Sequence, residues 1–484
     1  MASPMERIPL EILSIIASHL VQDTLPIRSS TERLHQNSLA RYSHISRQWQ
    51  PVIERITFRH LLLLSDDLAT ALQHNILTPQ RLSYLRYIKL WIKFPRHQHI
   101  IGILSPLESD DNFVFSNAIK SLFCLLAPTP FRPKPFIVLE LSIPIPKSIA
   151  RIARRTSDPR AMERAQVARA VRPTFYLELL GYYYKRLPNL PMVIDFRINL
   201  SSHSMLLEPR SACLIASKMP RLEAADWALY DGNKTDMTLR VRLRDGLAEN
   251  IHKLPQYLKR FSLDYFREAP RDHFYKPPSI IPTDAEGDTL SNSLYHFTQR
   301  KGLSDFYFKG SVDTTILWPA VTDPTKTPCW PTMKNYTLSM HMIMPSGRWL
   351  VVDDKEAAFA PTRPNAQALN DIPMSYSGDR FQTNTPGEAY KNDFRSNPNT
   401  KLADRIFFAA GKCVGQMPRV ERFTLDFSDS PLHTSLEFDM IHSGDIPCIN
   451  FSGLGETEPC EDTIQIWRET AEKRGKKFGF KMNK

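Results

Sequence analysis

The sequence predicts a mixed α/β fold in which a small all-helical N-terminal unit precedes an irregular array of strands and helices. Three observations carry that prediction. Over residues 8–60 the apolar positions recur at spacings of three and four, the period of a helix. Beyond residue 80 short segments carry the spacing Φ-x-x-Φ-x-Φ, where Φ is apolar and the last pair alternates as a strand does. Helix-like stretches separate those segments.

"IPLEILSIIASHL", residues 8–20, predicts the first helix, from about Pro9 to Leu20. Proline suits the first helical position, where a missing N–H costs nothing. This helix is apolar on two sides. Ile8, Ile12, Ile15 and Ile16 share one face, and Leu10, Leu13, Ala17 and Leu20 another. A surface helix needs only one apolar stripe, so the second face calls for a cover. The polar, turn-rich run "VQDTLPIRSSTERLHQNS" reads as a loop. Leu39, Tyr42, Ile45, Trp49, Ile53 and Ile56 then continue at helical spacing, interrupted by Pro51. Ser46 is a good N-cap and places Pro51 in the first turn of a new helix rather than at a kink.

Seven segments fit the strand spacing: Leu85/Ile88/Leu90, Phe136/Leu139/Leu141, Leu222/Ala225/Trp227, Leu258/Phe261/Leu263, Leu303/Phe306/Phe308, Met333/Tyr336/Leu338 and Val420/Phe423/Leu425. Pro220, Pro255, Pro331 and Pro418 stand just upstream of four of them, and "MPRLEAADW" and "MPRVERFTL" are near repeats. Phe175–Arg186 and Leu402–Gly415 read as intervening helices. Strand, helix, Pro and strand at irregular intervals describe an array of repeats; an ordinary α/β domain whose strands share a Pro-bounded entry fits the same residues. The predicted organisation is a helical unit over 5–60, a helical linker over 61–80 and the array over 81–344. A Pro/Asn-rich insertion over 345–400 follows, with "RWLVV" as a candidate strand. The last strand–helix units occupy 401–484, closing on a helix around Ile464, Trp467 and Ala471.

Composition excludes several classes. Of 484 residues, 42% are hydrophobic and 23% charged, a globular balance. The net charge of +11 is mild for this length. The six cysteines are scattered, with no CxxC pair and no dense disulfide framework. No apolar run approaches 18 residues, which argues against a membrane span, and the N-terminus is a poor signal peptide. Cytoplasmic or nuclear localisation is the resulting expectation. No nucleotide-binding, zinc-protease or hydrolase-elbow motif is present. His97 and His99 lack a third metal ligand at known spacing, so no metal or cofactor is expected. The pairs Asp353/Asp354 and Asp426/Asp429 read as turn or surface carboxylates. The Arg-rich run 151–172 offers grips for acidic groups but no interleaved aromatics, which disfavours nucleic acid.

Residues 5–60 resemble an F-box. That family's pattern opens with a hydrophobe-Pro-x-Glu-hydrophobe run, here Ile8, Pro9, Leu10, Glu11 and Ile12. It continues as an apolar helix ending in Leu20, and closes with Leu39, Tyr42, Ile45, Ser46 and Trp49. "WQPVIERITFRHLLLL" is similar to the run-out of filamentous-fungal F-box-like proteins, in which "LRYIKLWIKF"-like and other strand-like segments follow. By that resemblance the array is an irregular leucine-rich-repeat-like region. Two departures stand out: the 21–38 loop is longer than usual, and Ile8 replaces the usual Leu.

The resemblance implies a substrate-recruiting adaptor of an SCF-type cullin–RING ubiquitin ligase, not an enzyme. The F-box would bind the Skp-family linker, and through it the cullin–RING ligase; the array would bind an unknown protein substrate. Pro9, Leu10, Ile12, Leu13, Ile16 and Leu20, with Ser46, Trp49 and Ile53, are the implied contact or support residues. Spacing leaves open which of these touch the linker and which pack internally. Three alternatives remain: an F-box-like scaffold outside ubiquitination, an enzyme with an unrecognised pocket in the α/β region, and nucleic-acid binding through 151–172.

Overall fold

The computed structural model describes residues 8–22, 41–94, 107–144, 176–199, 206–232, 236–267, 269–270, 272–319, 327–353, 395–427, 435–439, 448–452, 459–475 and 479–483. It is a mixed α/β protein built on one sheet of twelve strands lying side by side in chain order. The strands are β1 (His60–Leu64), β2 (Tyr87–Trp91), β3 (Ile137–Ser142), β4 (Val193–Asn199), β5 (Ala224–Tyr230), β6 (Arg260–Phe266), β7 (Asp305–Gly310), β8 (Asn335–Met340), β9 (Arg422–Phe427), β10 (Ser435–Asp439), β11 (Cys448–Ser452) and β12 (Gly479–Asn483). From β1 to β9 every pairing is parallel. β10 and β11 are antiparallel to their predecessors, and β12 is again parallel to β11.

A repeated backbone device sets the register. The carbonyl just before one strand accepts two consecutive N–H groups at the start of the next. Glu223 O takes Lys259 N and Arg260 N at 2.8 and 3.0 Å, and Lys259 O takes Ser304 N and Asp305 N at the same distances. Ser304 O and Lys334 O repeat it for the next two strands, and Arg59 O does so for Arg86 and Tyr87. All these strands therefore start level, and equivalent side chains align across the sheet. One column runs Phe196, Ala225, Phe261, Phe306, Tyr336, Phe423 and its neighbour runs Ile198, Trp227, Leu263, Phe308, Leu338, Leu425. Both columns are buried. Where the first column has the small Ala225, Trp227 fills the space. Its ring meets Phe196 at 6.0 Å and Phe261 at 5.5 Å, keeping an aromatic chain unbroken through Phe306, Tyr336 and Phe423.

Helices cover these columns. In order, the eleven α-helices of the described residues are α1 (Leu10–Gln22), α2 (Trp49–Thr57), α3 (Ser65–Gln73), α4 (Pro79–Tyr84), α5 (Leu107–Leu126), α6 (Gly181–Lys185), α7 (Pro209–Ser217), α8 (Met237–Asn250), α9 (Thr289–Thr298), α10 (Thr400–Gly415) and α11 (Glu461–Glu472). Sequence cues start several of them. Asp236, Asp288 and Asn399 accept the N–H of the residue three ahead at 2.9, 2.9 and 3.2 Å, and Thr78 caps α4 with Pro79 behind it. α11 approaches α10 at Gly411, where a Cβ would lie 2.7 Å from Ile466; the Trp467 indole donates to Phe407 O at 3.1 Å.

A closed ionic network ties the C-terminal ends of the central strands to the helices. Asp231, just past β5, accepts from Arg240 Nε and Nη2 at 3.2 and 2.9 Å and from Arg244 Nη1 at 2.8 Å. Arg244 Nη2 also donates to Asp288 at 2.6 Å and to Ser311 O at 3.0 Å. All three charged partners of this centre are buried. Burial alone would raise the Asp231 pKa, but Arg240 and Arg244 hold it far below the ordinary carboxylate range.

Several expectations are corrected here. The helical linker over 61–80 contains β1, because Leu61 and Leu63 alternate toward the core while the backbone pairs with β2. Of the predicted helix Phe175–Arg186, only Gly181–Lys185 is α-helical among the described residues, and Tyr176–Leu177 pairs with Leu206–Leu207 as a small separate sheet. β4 is not among the seven segments, although Val193, Phe196 and Ile198 carry the same spacing; its register with β3 shifts by one residue between Ile137 and Val138. The chain's last element is β12, not the helix at 461–472. Within the predicted insertion, Val351–Asp353 pairs with Arg395–Pro398, and residues 354–394 lie outside the described residues. All seven Φ-x-x-Φ-x-Φ segments contain a strand of the large sheet.

Two substitutions test what holds this fold. Trp227→Ala should leave a large cavity in the aromatic chain and cost about 3–5 kcal/mol in denaturant unfolding. Asp231→Asn should cost about 3–5 kcal/mol, because it leaves the buried Arg240 guanidinium without an anion and Arg244 with Asp288 alone.

Candidate functional site

The N-terminal hairpin of α1 and α2 has a core of its own. Leu13 and Ala17, one turn apart on α1, are buried against Trp49, Val52 and Ile53 of α2, with Ile8, Tyr42 and Ile56 packed around them. One apolar face of α1 is thereby used. The other remains open at Ile12, Ile15 and Ile16, which are 46, 53 and 38% exposed, and Leu10, at the start of the covered face, is 51% exposed. Ile12, Ile15 and Ile16 fall at i, i+3 and i+4, so they form one stripe along the helix. Ile45, before α2, is 46% exposed as well. The flanking hydroxyls turn back on the helix, Ser14 to Leu10 O at 2.8 Å and Ser18 to Ile15 O at 2.7 Å. Adjacent exposed aliphatic side chains on a single helix suit a protein partner better than water.

The entry to α2 is set by Ser46, whose Oγ accepts Gln48 N at 3.2 Å and Trp49 N at 3.4 Å. Pro51 sits in the first turn, where its missing N–H is harmless. Among the described residues the buried Trp49 indole N–H has no hydrogen-bond partner. Such a group costs about 1–3 kcal/mol, so the large apolar area of Trp49 is what holds it there. α2 is fastened to the sheet region at its other end. Arg81 Nη2 bridges Glu54 at 2.6 Å, its guanidinium lies 4.9 Å from the centre of the Phe58 ring, and Phe58 packs on the main core. Burial works to raise the Glu54 pKa; the bonds from Arg81 and Gln50 overcome it and hold the carboxyl below its ordinary value.

The nine residues named from the sequence divide cleanly. Pro9, Leu10, Ile12 and Ile16 are exposed, Leu13, Trp49 and Ile53 are internal supports, and Ser46 shapes the turn. Leu20 lies within α1, but its side chain is outside the described residues. Ile15 and Ile45 were not among the nine. Ile15 could have been found, since it shares the face of Ile12 and Ile16; Ile45 owes its exposure to the turn before α2.

The outer face of the sheet forms a second, polar surface. Its side chains alternate with the buried columns and pair along the sheet: Lys89 with Glu140 at 2.6 Å, Arg197 with Asp195 at 2.7 Å, and Asn335 Nδ2 with Asp305 at 2.6 Å. Tyr87 also donates to Glu140. Near the middle, burial followed by the charges of Asp264, Asp426 and Asp226 raises the pKa of the half-exposed Tyr307. This face can present hydrogen-bonding groups to a macromolecule. The densest titratable cluster, around Asp231, Arg240, Arg244 and Asp288, is closed to solvent, so it braces the fold and does not face a substrate. Among the described residues no group of His, Cys, Asp and Glu could hold a metal, and no helix is long and apolar enough to cross a membrane. His97, His99, Asp354, Asp429 and the Arg-rich run 151–172 lie outside the described residues; Asp353 ends a strand and Asp426 is on β9.

Compared with models of known protein families and with curated proteins, the chain matches none.

Glu54 gives the hairpin a pH dependence of definite sign. Its folded pKa is depressed, so its stabilisation is full above the ordinary value of 4.5 and fades as pH falls through the lower folded value. Limited proteolysis at the α2–sheet junction should therefore accelerate on acidification below that range. Glu54→Gln should show faster cleavage already at neutral pH, matching a loss of about 1–2 kcal/mol.

Proposed function

We propose that the α1–α2 hairpin is an F-box-like docking module, and that the chain is a substrate-recruiting adaptor of an SCF-type cullin–RING ubiquitin ligase. In this reading the Skp-family linker covers the open face of α1, while the strand–helix array, as a leucine-rich-repeat-like region, presents its outer sheet face to a protein substrate. The observation that carries the reading is the split of α1 into a buried face, Leu13 and Ala17, and an open aliphatic stripe, Ile12, Ile15 and Ile16. The first face makes the hairpin a defined object; the second gives that object a surface to share. Interfaces of this kind concentrate their energy in a few apolar anchors near the centre, and three adjacent isoleucines supply them.

The chemistry of ubiquitin transfer would then reside in other subunits, and this chain would contribute position. The closed state of the Asp231 network supports that division, because its charged groups are committed to one another. An adaptor of this type works in the cytoplasm or nucleus, and it needs neither metal nor cofactor.

Titration of the full-length chain with a purified fungal Skp-family linker tests the reading. The wild-type chain should bind, and Ile12→Asp with Ile16→Asp should weaken binding by about 100-fold or more, a loss of some 3 kcal/mol. The thermal midpoint should stay unchanged, since both side chains already face water. Absence of binding by the folded wild-type chain, or equal binding by the double variant, would reject the proposal.

A further inference from the structure

The sheet's N-terminal edge, beside the hairpin, gathers arginines that have no acidic partner among the described residues. Arg86 and Arg132 come from chain segments before β2 and β3, yet both donate to the same carbonyl, Ser83 O, at 3.0 and 3.3 Å. Both also pack on one ring: their guanidinium carbons lie 4.7 and 4.9 Å from the centre of Phe136. Arg55 and Arg59, at the end of α2, are exposed and close enough for their charges to act on Arg86. Among the described residues, none of these four forms an ion pair with a carboxylate, whereas Arg81 nearby is matched by Glu54. Burial and then the charges of Arg132, Arg59 and Arg55 depress the Arg86 pKa, with no acidic group opposing them.

Arg86 and Arg132 are pinned, not loose. Carbonyl oxygens and ring faces fix their planes, and Arg86 uses only Nη1 for its bonds to Ser83 O and Leu85 O. A guanidinium has five N–H donors, so its Nε and Nη2 edge remains to be used. Holding like charges together without an anion is unfavourable unless something else takes them up.

We propose that this edge is a docking surface for an acidic peptide segment of a partner protein, whose Asp or Glu carboxylates are gripped by Arg86 and Arg132 and flanked by Arg55 and Arg59. Planar guanidinium forks match carboxylates in a bidentate way. Single-stranded nucleic acid is the weaker fit, because base stacking needs open aromatic faces and the Phe136 ring is already packed against arginines. The surface does not depend on the open stripe of α1, so it stands or falls separately from the adaptor reading.

The test is fluorescence anisotropy of a labelled oligoglutamate peptide with the full chain, beside a single-stranded oligonucleotide of equal charge. The peptide should bind and weaken steeply with added salt. Arg86→Gln with Arg132→Gln should lower its affinity about tenfold or more. Because those side chains also brace the backbone, Arg55→Glu with Arg59→Glu serves as a second variant, at side chains that make no hydrogen bond or ion pair among the described residues, and it should weaken binding with an unchanged thermal midpoint. Failure of the wild type to bind the peptide, tighter binding of the oligonucleotide, or wild-type affinity in the Arg55/Arg59 variant would each overturn the proposal.

Discussion

Five strands of the central sheet, β2 and β6 to β9, begin where the preceding strand's leading carbonyl allows them to begin. That one carbonyl binding two successive N–H groups, seen at Arg59, Glu223, Lys259, Ser304 and Lys334, keeps the strand starts level across very different connection lengths. A level start makes a slip by one residue expensive, since it would turn a whole strand's apolar set toward water. The buried columns, the aromatic chain through Trp227 and the polar outer face all follow from it. Connections vary freely because their length does not enter the register.

The charged groups of the protein fall into two regimes with different physics. Around Asp231, charges are fully removed from water and balanced by short bonds, so the cluster fixes how α8 and α9 sit on the sheet. On the outer face and at the sheet's N-terminal edge, basic side chains such as Lys89, Arg86 and Arg132 are partly exposed. There they form local pairs, as Lys89 does with Glu140, or stand together unpaired, as Arg86 and Arg132 do. Burial decides whether a charge serves the fold or is left over for recognition.

The α1–α2 hairpin is a smaller object than the sheet. Its core is five buried residues, and a domain of that size is marginal by itself. Attachment through Glu54, Arg81 and Phe58 gives it a fixed seat at the start of the sheet. It can consequently leave an aliphatic stripe open without losing its shape. The open stripe and the arginine edge lie at opposite ends of the hairpin's construction: α1 carries one, and the end of α2 contributes to the other.

By itself the sequence determined the mixed α/β class, seven of the twelve strands and the helical N-terminus, because apolar periodicity and Pro or cap residues act over a few neighbours. It also determined that α1 has two apolar faces. Only the tertiary structure decided which face is covered, since Leu13 and Ile12 are equally apolar and differ only in where Trp49 and Ile53 arrive. β4 was legible as well, since Val193, Phe196 and Ile198 carry the same spacing, but the conversion of 61–64 from expected helix to strand and the final strand β12 were decided by pairing with distant neighbours. The meeting of Arg86 with Arg132 belongs to the same group. They lie 46 positions apart in the chain, and only the parallel pairing of β2 with β3, by bringing both strand starts to one edge, places both guanidinium groups on Phe136.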